Sequence, residues 1–476
     1  MSDTKNQLTY QDIKVEIPYK IKTITKIAVE KKINEHGKAE IQGILEEDVQ
    51  DDLIMNASLK DKVEIKCKAK KEQTIFTGVV IDIKLKHVNK VKYIKIKALS
   101  HSFLMDIKKK SRSFQNKDNT YENIFKKIIR EEYKGDYIDT LTKKASQGAS
   151  IIQYQETDWE FIKRLASHFN GVIVPETTGD TPKIWIGIPN GESYKEEELY
   201  YTIEKDIKTF GIIDQNVGKQ SHLNHIIYEV ESKNLYNIGD KVTYKEVPFI
   251  VKEIKFNFEK DLVYLNYKFQ KPEGIKVRKI YNEKIRGASL DGKILKVEKD
   301  TIKLHLNIDK EQTEKEAYPY KYNTPYTSEG TTGWYVMPKE GDSAKLYIPE
   351  ADETKAYVRV INRTDGKSNP LTKDPSTKYL GTINHKQIKM SKSELKITAK
   401  EEKKGKMHIS MEEEKGISLE SDKKIEIISE SDITITGNKI NVSDKEEIRK
   451  EAFLSTARLY GKTEFKSSKI TMKGRI

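Results

Sequence analysis

Cysteine is nearly absent from this chain of 476 residues: Cys67 stands alone. One cysteine excludes a disulfide scaffold and any all-cysteine metal site. It falls in the alternating run Val63, Ile65, Cys67, the pattern of a buried strand position rather than of a nucleophile. Long apolar runs are also missing. No stretch approaches the roughly 18 residues of a membrane-spanning helix. No apolar core follows Met1-Ser2-Asp3-Thr4-Lys5, so neither a membrane span nor a signal peptide is expected. HExxH, GxSxG, P-loop and dinucleotide patterns do not occur. Proline is absent from 376 to 476, and no aromatic lies between Tyr379 and Phe453.

What is abundant is charge of both signs, with Lys+Arg 87 against Asp+Glu 74 and a formal net charge of +13. Acids and bases alternate throughout, which describes a solvated surface rather than a clustered nucleic-acid footprint, so no nucleic-acid partner is expected. Lys108-Lys109-Lys110 is read in the same way, as a solvated run beside Asp106. At roughly 150 residues per domain the length allows about three domains.

Residues 13 to 100 read as half-exposed antiparallel strands, for example Ile13/Val15/Ile17 and Val91/Tyr93/Ile94/Ile96/Ala98. Two helices interrupt the strands. Tyr121, Ile124, Phe125, Ile128 and Ile129 recur at helical spacing behind Thr120. Thr157 and Glu160 have capping-box spacing ahead of the stripe Ile162, Leu165, Ala166 and Phe169, and Gly171 is read as the stop. Strands resume near Val172, Ile184 and His225, followed by the turn Asn237-Ile238-Gly239-Asp240. A linker is expected from Pro272 to Lys284.

Five short apolar pieces then suggest a small closed barrel: Gly287–Ile294, Ile302–Leu306, Gly333–Pro338, Gly341–Ile348 and Tyr357–Val360. Beyond Pro375 the chain becomes short Ile/Leu pairs set among Lys, Glu, Ser and Thr, such as Leu395/Ile397, Ile417/Leu419 and Ile433/Ile435. Each unit is too small for its own core. Stacked units form a β-solenoid whose narrow interior three intertwined chains would close, and a plain antiparallel sheet is the alternative. Glu446 to Phe453 reads helical.

Candidate chemistry is sparse. His222 and His225 are three apart, a spacing read as turn or surface placement rather than a shared metal, and His385 and His408 are read as exterior polar positions. Asp158 and Glu160 flank Trp159 at a helix start, where capping and the helix dipole already favour acids. No catalytic, cofactor-binding or metal-ligating residue is expected.

The run Gln153-Tyr154-Gln155-Glu156-Thr157-Asp158-Trp159-Glu160-Phe161-Ile162-Lys163-Arg164-Leu165 resembles a signature of VgrG and phage late-control D proteins, the hub and spike of contractile injection systems. Tyr154, Glu156, Asp158, Trp159, Phe161, Arg164 and Leu165 carry it. Gly239 and Asp240 are similar to the family's hydrophobic–Gly–Asp step. Gly333, Trp334, Pro338, Gly341 and Asp342 resemble the most recognisable stretch of its OB-like module.

The resemblance implies a mainly β, multi-domain protein: a β-barrel hub with inserted helices over 1–280, an OB-like barrel neck over 285–372, and an intertwined trimeric β-helix needle over 376–476. It implies a homotrimer that contacts the inner tube protein, baseplate or wedge proteins, a conical PAAR-like tip protein and effector cargo. The target membrane would be met mechanically. The protein would be made in the bacterial cytoplasm, incorporated into a phage tail, tailocin or type VI-like particle, and be no enzyme. The alternative is a β-helical surface-binding fibre or a carbohydrate-active tail protein.

Overall fold

The computed structural model describes residues 8–47, 52–68, 72–197, 200–324, 336–359, 371, 373–382, 384–399 and 405–442. The chain forms two compact units, Met1–Asp365 and Gly366–Ile476. It is mainly β and multi-domain, as expected. Among the described residues no helix is long and apolar enough to cross a membrane.

The first unit opens with β1 (Ile13–Glu16), β2 (Ile21–Lys32), β3 (Lys38–Leu45), the short α1 (Asp52–Met55), β4 (Lys62–Lys68), β5 (Glu72–Val88) and β6 (Val91–Ser100). A second strand group follows later in the chain: β12 (Ser193–Glu196), β13 (Tyr201–Lys205), β14 (Ile226–Glu231), β15 (Lys241–Tyr244), β16 (Val247–Glu259) and β17 (Leu262–Gln270). Antiparallel pairing of β2 with β16 joins both groups in one sheet of order β1-β4-β5-β6-β3-β2-β16-β17-β14-β13, with β12 and β15 attached through β16. Its core holds Ile27, Val29, Ile65, Cys67, Phe76, Phe256, Phe258 and Phe269. Cys67 is fully buried, and burial, seconded by Asp12, pushes its thiol up to about 11. A bulge between Val251 and Glu253 shifts the inward positions of β16 from Phe249 and Val251 to Ile254, Phe256 and Phe258.

Between these groups lie β7 (Lys110–Phe114), α2 (Tyr121–Phe125), β8 (Asp136–Asp139), β9 (Ile151–Glu156), α3 (Asp158–Ser167), β10 (Ile173–Pro175) and β11 (Lys183–Ile186). Thr120 accepts from Asn123 N, and α2 runs on as a wide π turn over Lys126–Glu132. Phe125, Ile128, Phe161, Leu165, Ile173 and Ile184 share a second core. A further helix, α4 (Ile207–Asn216), was not expected from the sequence. Asp206 caps it, but Ile, Thr and Gly211 hide the helical signal.

The expected barrel closes in the order β18 (Ser289–Glu298), β19 (Thr301–Leu306), β20 (Pro319–Tyr322), β22 (Tyr357–Arg359) and β21 (Ser343–Tyr347). Its third strand is Pro319–Tyr322 rather than Gly333–Pro338. Residues 325–335 lie outside the described set, and Val336 to Lys339 form no strand. Tyr320 faces inward and fills the core with Ile302, Leu304 and Leu346.

The second unit is an antiparallel meander: β23 (Lys378–Gly381), β24 (Gln387–Met390), β25 (Glu394–Thr398), β26 (Met407–Glu412) and β27 (Gly416–Ser421). Residues 422–442 add no strand. The stretch read as helical, Glu446 to Phe453, lies outside the described residues.

Candidate functional site

The signature residues between 154 and 165 lie together on β9 and α3, next to the barrel. Thr157 Oγ1 accepts from Glu160 N at 3.1 Å, and Glu160 Oε2 accepts from Thr157 N at 3.0 Å, so the capping box forms as the spacing predicts. Thr157 Oγ1 also donates to Asp106 Oδ1 at 2.5 Å. Trp159 packs on the His36 ring with centroids 4.2 Å apart, and Phe161 stacks on Phe114 at 5.6 Å. The helix stop differs from expectation. Asn170 takes the left-handed conformation at φ 55, while Gly171 leaves room for Leu141, whose Cδ2 would lie 2.3 Å from a Cβ there.

Asp158 does more than favour the helix dipole. It is fully buried, and its carboxylate accepts from Lys110 Nζ and Arg112 Nη2, both at 2.5 Å, Tyr133 OH at 2.7 Å and Gln153 Nε2 at 3.0 Å. Burial alone would raise its pKa, but the hydrogen bonds from Lys110 and Tyr133 and the charge of Arg112 outweigh burial and hold it below the usual value. Glu132 pairs with both cations from the other side. Lys110 therefore belongs to a partly buried ion cluster, not to a solvated run. Nothing local in the sequence marks Arg112, Glu132, Tyr133 and Gln153 as its partners.

Arg164 is the largest fully buried side chain among the described residues, at 1% exposure. Its Nε and Nη2 donate to Glu156 at 2.9 and 3.0 Å, Nη2 also donates to Ile152 O at 2.9 Å, and Nη1 donates to Glu353 at 2.9 Å. Burial opposes the guanidinium charge, yet Glu353 and Glu156 raise its pKa further. Burial pushes the Glu156 carboxyl up, Arg164 pulls against that, and the nearby Glu353 charge adds to the upward push.

Glu353 lies in the turn ahead of β22, so Arg164 ties the helical core to the barrel. Other bonds follow the same seam. Ser150 Oγ and Tyr320 OH are 2.6 Å apart, Ser113 N and Oγ donate to Asp309 at 2.6 and 2.5 Å, and Asn282 Nδ2 donates to Tyr154 O at 2.8 Å. Ile152 enters the barrel core itself, with half-buried Tyr154 packed beside it.

The remaining signature residues lie apart from this seam and form turns. Gly239 sits at φ 92 against Pro189, and buried Asp240 accepts from Asn237 N at 2.7 Å and Glu192 N at 3.0 Å. Gly341 is at φ 86, and Asp342 Oδ2 accepts from Lys339 N at 3.0 Å just after Pro338. Gly333 and Trp334 lie outside the described residues. His222 contacts Lys205 at 3.5 Å while His225 is buried against Phe210. Among the described residues no three His, Cys, Asp or Glu side chains are grouped to hold a metal.

A large sheet, a helical insert and a closed barrel locked by buried charge define a scaffold in which side chains join modules. The chain is similar in fold to solved PdpA-VgrG complexes and to a type VI secretion component. The lidded Francisella PdpA-VgrG complex matches at TM-score 0.58 and 12% identity, covering 87% of this chain and 81% of that one. The lidless PdpA-VgrG complex matches at 0.57 and 10%, covering 88% and 100%. The E. coli c3393 protein, described as a type VI secretion component structurally similar to the T4 tail proteins gp27 and gp5, matches at 0.54 and 14%, covering 72% and 99%. At these identities the likeness is one of fold. A family model described as the Alg8 N-terminal domain matches residues 8–207. No curated protein matches the chain.

Proposed function

We propose that this chain is the central spike of a contractile injection machine. It acts as a homotrimer that joins inner tube and baseplate to a puncturing tip, and it works mechanically rather than by covalent catalysis. The domain limits that go with this reading are 1–280, 285–372 and 376–476.

One observation carries the proposal. In the second unit the register aligns Leu380, Ile388, Ile397, Ile409 and Leu419 in one row, and Met390, Leu395, Met411 and Ile417 in the next. Alternation puts both rows on the same face of the sheet. Leu395, Ile397, Ile409, Met411, Ile417 and Leu419 are 36 to 76% exposed in the single chain. Soluble monomers rarely leave so extended an apolar face in water, and such faces mark contacts with other chains. Covering it stabilises by roughly 1.5–3 kcal/mol per fully buried side chain. Copies of the same face, wound together, provide the cover and leave no open strand edge.

The fold likeness to a VgrG in complex with PdpA supports cargo carried on the spike, and the likeness to c3393 supports a secretion or tail particle as the setting. Inner tube, baseplate and tip proteins are the partners this reading requires. Light scattering on the purified full chain tests it. A mass near three chains is expected, and a clean monomer at working concentration overturns it.

A further inference from the structure

Three tyrosine rings stand around one ammonium at the far edge of the large sheet. Tyr201 (β13), Tyr228 (β14) and Tyr244 (β15) have mutual centroid distances of 5.8, 6.0 and 5.5 Å. Lys245 Nζ lies 3.4 Å from the Tyr201 centroid, 5.6 Å from Tyr244 and 5.8 Å from Tyr228. The rings present their negative faces to the cation, the geometry of an aromatic cage.

Two of the rings, Tyr201 and Tyr244, also line a cavity of about 450 Å³ together with Lys195, Glu196, Glu197, Thr243 and Glu246. Glu197 pairs with Lys195, and buried Glu196 accepts from Ser232 and Tyr236, so Glu246 is the lining carboxylate that adds negative charge beside the rings. The volume lies in the range of ligand sites, well beyond what one lysine tip fills.

Lys245 is a replaceable occupant. It is an exposed residue of a two-residue hairpin loop, with φ 48 at Lys245 and 63 at Glu246, as in a type I′ turn. Its ammonium lies closest to Tyr201, an exposed ring, where such contacts are weak. Beside it, β13 is a sheet edge with all five residues exposed and β14 as its strand neighbour. An extended segment laid along such an edge can send a side chain into the adjoining cavity.

We propose that the Tyr201/Tyr228/Tyr244 cage is a binding site for the lysine side chain of an extended partner segment, which displaces the ammonium of Lys245. The site stands on its own residues and does not depend on the spike reading above.

The test is saturation-transfer NMR on the full chain. The probe is N-acetyl-lysine N-methylamide, with the uncharged norleucine analogue as control. Lys245→Asn vacates the cage and keeps the hairpin, because Asn suits a type I′ turn. The variant is expected to bind the lysine probe at least roughly fivefold more tightly than the native chain, the ratio set by loss of an internal competitor. Tetramethylammonium is expected to compete in the same variant, and Tyr201→Leu added to it is expected to remove binding. Equal binding of the norleucine analogue, no gain in Lys245→Asn, or no competition by tetramethylammonium overturns the site.

Discussion

Arg164 Nη1 donates to Glu353 Oε1 at 2.9 Å across 189 residues of sequence, and both side chains are buried. The bond joins the helix that opens with the Thr157 capping box to the barrel, while Nε and Nη2 donate to Glu156 and Ile152 O. Arg is needed because its planar fork serves several acceptors at once, whereas an ammonium is a single point charge. Replacing Arg164 by Met leaves two buried carboxylates without their counterion, at a cost of about 3–5 kcal/mol. Arg164→Lys is expected to lose most of that amount. Glu353→Gln keeps an acceptor in place and is expected to cost less, about 1–3 kcal/mol. Urea unfolding of the full chain measures all three. An Arg164→Lys variant as stable as the native chain would sink this account of the junction.

Acid should weaken the same region through His168. Burial, with Arg164 second, lowers its pKa to about 3, and its Nδ1 lies 3.0 Å from Tyr121 OH. The folded state therefore binds this proton less readily than the unfolded chain. Stability is unaffected above the unfolded value of about 6.5 and falls as pH drops from there towards 3. His168→Gln removes the titration, and its stability curve is expected to flatten by up to about 1 kcal/mol per pH unit in that window. Asp158 adds a second loss at lower pH. Its depressed pKa stabilises the fold above the unfolded carboxylate value, and that contribution disappears as pH falls through the folded value. Urea midpoints from pH 7 to pH 4 separate the two, because only the His168 contribution is active above pH 5. Parallel curves for native and variant chains would rule His168 out.

Local chemistry was legible in the sequence, and long-range pairing was not. The α3 capping box, the half-buried strands and the small barrel follow from spacing and alternation that act within a few residues. Arg164 was visible as part of a signature, but its target, Glu353, is fixed by how the barrel packs. Lys110 looked like one member of a solvated lysine run because nothing nearby in sequence foretells Asp158 above it. The bulge in β16 and the left-handed Asn170 are backbone events with weak residue preferences, and α4 was hidden by β-branched residues whose helix propensity is low.

Two glycines at positive φ are expected to differ in their tolerance of alanine. Gly239 sits at φ 92, and a Cβ there would lie 2.8 Å from Pro189 O. Gly287 sits at φ 75 with nothing within 4 Å of the added carbon. Both substitutions carry the left-handed backbone cost of about 1 kcal/mol. Gly239→Ala adds a clash with backbone, which gives way only by moving the turn that buries Asp240. Its denaturant midpoint is expected to fall further than that of Gly287→Ala by at least about 1 kcal/mol of stability. Equal losses would show that the Pro189 contact does not constrain the turn.

The two faces of the β23–β27 meander are expected to respond in opposite ways to added charge. Ile397 and Ile409 are register partners in the middle of the apolar rows, 43 and 38% exposed in the single chain. Lys396 and Ser410 are the partners one step along, on the opposite face. If copies of the chain close on the apolar face, Ile397→Glu with Ile409→Glu places six carboxylates in the interior of each trimer, where charge without a counterion is strongly disfavoured. The mass from light scattering should then drop from three chains to one, with β structure in the first unit retained by circular dichroism. Lys396→Glu changes charge on the other face and should leave the mass at three chains. Dissociation by Lys396→Glu alone, or a double variant that still measures three chains, would place the contact between copies somewhere other than the apolar rows.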